Sequence, residues 1–146
     1  MTPTERVNPP DGYPRIRPHL IYEDVGAAID MLTDLFGFQE RTFARHTAPD
    51  GTAGRTQMQV IDSIITLGLP SIHGDSPRDG VSSMLYVYVD DVDAHYEHAR
   101  TAGADIVIEL VNAPWGDRCY QARDSEGHQW TFAQHIGPPD PDHYHE

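Results

Sequence analysis

Apolar residues along the chain first alternate and then recur at helical spacing, and this change of period happens twice. Arg15–Tyr22 alternates and predicts a strand, after which Val25, Ala28, Ile29, Leu32, Leu35 and Phe36 predict a helix that Gly37 ends. Phe38–His46 reads as a strand, Pro49-Asp50-Gly51 as a turn and Arg55–Ile61 as the next strand, with Asp62-Ser63 turning the chain into Ile64–Leu69. The second half follows the same order. Ser83–Val89 predicts a strand and Val92–Ala102 a helix, with Asp91 as its N-cap and Gly103 as its stop. Strands follow at Asp105–Val111, Arg118–Arg123 and Gln129–His135, separated by the loop Asn112–Gly116 and the turn Asp124–Gly127. Asp24 precedes Gly37 by 13 residues and Asp90 precedes Gly103 by 13, the two pairs being offset by 66. Equal spacing within the same order of elements predicts an internal repeat, an α+β fold of paired βαβββ modules.

Successive side chains on a strand point to opposite faces, so each strand divides in two. Leu85, Val87 and Val89 oppose Met84, Tyr86 and Tyr88; Trp130 and Phe132 oppose Gln129, Thr131 and Ala133. Leu20 and Tyr22 oppose Arg17, His19 and Ile21, while Ile65 and Leu67 oppose Ile64, Thr66 and Gly68. One face is therefore apolar and suited to packing helices, each large side chain contributing roughly 1.5–3 kcal/mol when buried. The other mixes arginine, histidine, tyrosine, methionine and threonine. Burying Arg17 and His19 without partners would be costly, and the mixture fits a wall that receives a small organic molecule.

Composition narrows the function. The 146 residues carry 23 acids against 10 basic residues, a net charge of -13, and all ten basic residues are arginine. Without lysine there is neither a Schiff-base lysine nor a Walker-A loop. The negative charge disfavours nucleic acid and anionic membrane surfaces as partners, and no apolar run is long enough to span a bilayer. Residues 1–14 show no apolar signal segment, which with the single Cys119 is the expectation for a cytoplasmic chain without disulfides. Residues 1–14 and 137–146, rich in proline and charge, are expected as tails around one domain at 15–136. Its modules are placed at 15–69 and 81–136 and its linker at 70–80.

Few residues suggest chemistry. Cys119 lies in a strand and reads as a packing residue, and no nucleophile stands beside a base. Glu23-Asp24 and Asp90-Asp91 stand at strand-to-helix junctions, where carboxylates cap helices. His95 and His98, among acidic neighbours, are expected on the solvated side of the second helix. Trp115 follows Pro114 in a loop at the rim of the mixed face, where an indole can stack on a planar ligand.

The runs Leu20-Ile-Tyr-Glu-Asp-Val25…Leu35-Phe-Gly-Phe38, Tyr88-Val-Asp-Asp-Val-Asp-Ala94…Ala102-Gly-Ala104 and Arg123-Asp-Ser-Glu-Gly-His-Gln-Trp-Thr-Phe132 resemble the vicinal oxygen chelate superfamily. That superfamily includes glyoxalase I, extradiol dioxygenases and bleomycin-resistance proteins. Ser125 stands where its closing turn usually has proline. The resemblance implies a cup-shaped mixed sheet with helices on its convex face, usually as a homodimer. It also implies a divalent metal held by four side chains on the first and last strand of each module. Those places fall on Arg17, Thr66, Met84 and Thr131. A guanidinium is no ligand, and thioether or hydroxyl groups hold such ions poorly, so no metal and no cofactor are expected.

The expectation is a metal-independent binder of a small, partly aromatic molecule, of the bleomycin-resistance type. Its contact residues are Arg17, His19, Thr66, Met84, Tyr86, Tyr88, Trp115, Arg118 and Thr131, with no catalytic residue. Surface acidity would favour a cationic ligand. The alternative is an enzyme of the superfamily with an atypical or absent metal site, using His19 as a base beside Arg17.

Overall fold

The first strand is shorter than its sequence pattern suggests. In the computed structural model, which describes residues 9–70 and 84–141, β1 spans only His19–Ile21. Helix α1 follows at Val25–Phe36, with Asp24 Oδ1 accepting the Ala27 amide at 3.0 Å. Beyond it lie β2 (Gln39–Glu40), a single 3₁₀ turn (Thr42–Ala44), β3 (His46–Thr47), β4 (Ala53–Val60) and β5 (Ser63–Gly68). The second half contains β6 (Met84–Tyr88), α2 (Val92–Thr101), β7 (Asp105–Asn112), β8 (Asp117–Arg123) and β9 (Gln129–His135). Asp91 caps α2 through the Ala94 amide at 3.1 Å. The linker expected at 70–80 and Ser83 of the sixth strand lie, but for Pro70, outside the described residues.

The strands form two mixed sheets. The first has the order β1-β5-β4-β2, with β3 also pairing β4; the second has the order β6-β9-β8-β7. In each, the strand before the helix lies parallel to the last strand of its half, and the last two strands are antiparallel. The duplication is thus repeated in connectivity. Residues 9–29 and 38–70 make one compact unit, and residues 30–37 and 84–141 the other.

Three local readings are corrected. The strand expected over Phe38–His46 is broken at Thr42–Ala44, where Ala44 and Arg45 donate their amides to Arg41 and Thr42 carbonyls instead of a ladder. The turn between β4 and β5 is Ile61-Asp62 rather than Asp62-Ser63, and Ile61 adopts φ 57°. His95 faces the interior of the second unit: its ring centroid lies 4.4 Å from that of Phe132. His98, by contrast, is exposed, and its Nε2 donates to the Asp34 carbonyl at 2.9 Å.

Each unit is built on its apolar strand face. Tyr22, Met58 and Leu67 are fully buried in the first. In the second, Tyr120, Trp130 and Phe132 are buried with Phe36, whose ring centroid lies 4.8 Å from that of Phe132. These large rings bury much apolar surface in that half.

Candidate functional site

The residues expected to receive a ligand separate into two groups, one on the mixed face of each unit. In the first unit, strand register sets His19 opposite Thr66 and Thr66 opposite Gln57, forming one rung across β1, β5 and β4. Arg17 lies two residues before His19, at the Ile64 end of the rung. Arg55 pairs with Gly68 at the other end. These side chains line a cavity of about 160 Å³, together with His46. Arg55 Nη2 donates to His46 Nε2 at 2.9 Å, which fixes the guanidinium. The Arg17 guanidinium sits 5.3 Å from the centre of the Tyr13 ring, and the Tyr13 hydroxyl donates to Gln57 Oε1 at 3.2 Å. A more open groove on the N-terminal side is lined by Pro10, Tyr13, Arg15, Arg17 and His19. The N-terminal stretch therefore contributes to this groove from Pro9 onward.

The second unit has a rung of the same design. Tyr86 pairs with Thr131, and Thr131 with Gln121. A threonine and a glutamine thus hold matching places in both halves, while tyrosine replaces histidine on the first strand. Around this rung the aromatic side chains are open to solvent: Tyr86 is 38% exposed, Tyr88 56% and Trp115 38%. One carboxylate organises them. Asp117, 2% exposed, accepts the Tyr86 hydroxyl at 2.6 Å, the Tyr88 hydroxyl at 2.9 Å and His135 Nδ1 at 2.8 Å. Trp115 Nε1 donates to the Tyr86 oxygen at 2.9 Å. Burial acts to raise the Asp117 carboxyl, but the hydrogen bonds from Tyr86, His135 and Tyr88 outweigh it, and its pKa falls below the ordinary value. The Tyr86 hydroxyl is pushed upward by burial and by its bond to that carboxylate, so it remains a donor.

The loop before β8 places both Trp115 and Asp117. Gly116 has φ 97°, and a Cβ there would lie 2.3 Å from the Gly137 carbonyl oxygen. That carbonyl belongs to the chain leaving β9, whose Ile136 amide donates to Gly116 O at 2.9 Å. Only glycine permits both the left-handed backbone and the close approach.

Met84 and Thr131 meet each other: the Thr131 hydroxyl donates to the Met84 sulfur at 2.8 Å. Arg118 does not join the group. It lies on the opposite face of β8 from Asp117 and bonds Asp93 of α2 at 3.0 Å and Asn112 at 2.9 Å. Arg118, expected among the contact residues, is thus held by α2 and Asn112 on the other face of the strand. Cys119 is buried on β8, and burial together with the Asp117 charge raises its thiol, keeping it protonated. Sequence reasoning missed Asp117, His135, Arg55, His46 and Gln57. Strand alternation could have put Asp117 and Gln57 on the mixed face, but partnership across strands depends on register, which the sequence does not print.

Two βαβββ units with mixed sheets of matching connectivity define the class of fold. The sequence model described as the Glyoxalase/Bleomycin resistance protein/Dioxygenase superfamily matches residues 15–132, and the chain belongs to that superfamily. Among solved structures it is similar to TioX from Micromonospora sp. ML1, at 35% identity and a TM-score of 0.68, covering 81% of this chain and 95% of that one. A superfamily enzyme from Burkholderia phytofirmans PsJN shares the fold, with 19% identity, a TM-score of 0.67, and 81% and 95% coverage of the two chains. Uncharacterized protein Mb0911c from Mycobacterium bovis is 29% identical over 130 residues, 84% of each chain.

The metal that the superfamily implies does not fit the residues at the corresponding places. Arg17 carries a fixed positive charge, and the Thr131 hydroxyl is committed to the Met84 thioether. Thr66 offers only a neutral hydroxyl. Among the described residues no three His, Cys, Asp or Glu side chains converge as ligands would.

Proposed function

We propose that this chain binds a small, partly aromatic organic molecule against the mixed face of its second unit, without a metal and without transforming it. The observation that carries the reading is the wall of Tyr86, Tyr88 and Trp115, exposed on one side and held on the other by the buried Asp117 carboxylate. Exposed aromatic surface usually costs a protein solubility, and rings pinned by hydrogen bonds lose little entropy when a planar guest stacks on them. Met84, 44% exposed beside them, adds a polarisable and adaptable contact. Sequestration of an antibiotic, as in the bleomycin-resistance branch of the superfamily, is the physiological form of this reading, with a homodimer as the binding species.

Isothermal titration with bleomycin and with doxorubicin tests it. Saturable binding to at least one probe is expected, weakened about tenfold or more by Trp115→Ala, with the probe recovered unaltered by mass spectrometry. No heat from either probe at high micromolar concentration, or recovery of a modified probe, contradicts it.

A further inference from the structure

We infer that the first unit holds a second site, for a small oxyanion of carboxylate or phosphate type, seated between Arg17 and Arg55 over the His19–Thr66–Gln57 rung. The inference uses residues of the first unit alone and stands apart from the aromatic wall.

Hydrogen-bond chemistry of the cavity points one way. Among the described residues no carboxylate lines it. In a chain of net charge -13, neither Arg17 nor Arg55 has an ion-pair partner among the described residues, although Arg45, Arg100 and Arg118 each have one. Two of the neutral lining groups have an acceptor atom engaged within the protein. His46 Nε2 accepts from Arg55, and Gln57 Oε1 accepts from Tyr13, leaving the Gln57 amide as a donor. Thr66, only 3% exposed, has a hydroxyl with no hydrogen-bond partner. A buried hydroxyl without a partner costs stability, and on a cavity wall it is the mark of a group that a ligand satisfies.

Two guanidinium forks and a hydroxyl donor around about 160 Å³ suit a compact anion with several acceptor oxygens. Gly68, level with Arg55, adds no side chain to the floor, and Tyr13 steadies Arg17 from the outer side.

Titration of the full chain with sodium benzoate, inorganic phosphate and the uncharged benzamide, followed by ¹H–¹⁵N NMR, tests the site. Saturable shifts at residues 17–19, 55–57 and 66 are expected with at least one anion and not with benzamide. Benzoate alone identifies an organic carboxylate, and phosphate alone a free oxyanion. Arg17→Gln and Arg55→Gln should each weaken binding about tenfold, with Arg17→Lys intermediate because it keeps charge but loses the fork. Thr66→Val should weaken binding several-fold while leaving the melting temperature equal or higher, which separates loss of a ligand contact from misfolding. Failure of both anions, equal binding of benzamide, or affinity unchanged in both arginine variants overturns the inference.

Discussion

Asp117 is the residue on which the second unit's mixed face depends. Its carboxylate takes two tyrosine hydroxyls and an imidazole nitrogen, so removing its charge weakens all three bonds at once. Because the folded pKa is depressed, its contribution to stability is fully present above the ordinary value of about 3.9 and is lost as pH falls through the lower folded value. Asp117→Asn should lose about 1–3 kcal/mol at neutral pH and flatten the acid limb of a urea-unfolding profile. His95 works in the opposite sense. Burial, the largest influence, lowers its pKa, while Nε2 donates to the Phe36 carbonyl and Nδ1 accepts from the Tyr120 hydroxyl. Below about pH 6.5 the unfolded chain gains a proton that the folded ring resists, so stability falls with pH there. His95→Phe should remove that part of the slope in melting temperatures measured between pH 7.5 and 5.5. The acidic neighbours Asp93 and Glu97 suggested a solvated His95, but helical neighbours in sequence point in different directions. Its actual partners, Phe36 and Tyr120, lie 59 and 25 residues away.

At the scale of elements, the local rules held wherever residue chemistry and backbone need agreed. Asp24 and Asp91 cap their helices as carboxylates should, and β9 runs Gln129–His135 as its alternation predicts. They failed where a residue is used against its preference. Ile61 is β-branched and favours a strand, yet it holds a left-handed turn position and is largely exposed. Ile61→Gly or Ile61→Asn should therefore raise stability by roughly 1 kcal/mol in chemical denaturation, since the left-handed cost falls while little buried surface is lost. Thr42-Phe43-Ala44 has no glycine or proline to announce a break, and the 3₁₀ turn arises from where Arg41 attaches to β4. The Arg41 amide donates to Gln57 O, and Arg41 Nη1 to Gln59 Oε1. Gly116 is the reverse case, legible as a turn residue but not as a close approach. Gly116→Ala should cost about 2 kcal/mol or more and shift Trp115 fluorescence, because Gly137 must retreat.

Across the whole molecule, the division of each half into an apolar face and a mixed face was readable from alternation, and so was the repeat that produces it. Which mixed-face residues cooperate was not, because His19, Thr66 and Gln57 are joined by register rather than by sequence distance. Overall charge does not set the local charge either. The chain is acidic as a whole, yet the first unit's mixed face gathers Arg17 and Arg55 around a cavity that no carboxylate lines among the described residues. Under the proposed function these faces bind their guests without a metal. Tryptophan-fluorescence titration of the full chain with doxorubicin, before and after exhaustive treatment with EDTA, tests it most directly. A saturable quench of the same affinity is expected in both samples, much reduced in Trp115→Phe. Binding that disappears on chelation and returns with added zinc, nickel or iron would contradict it.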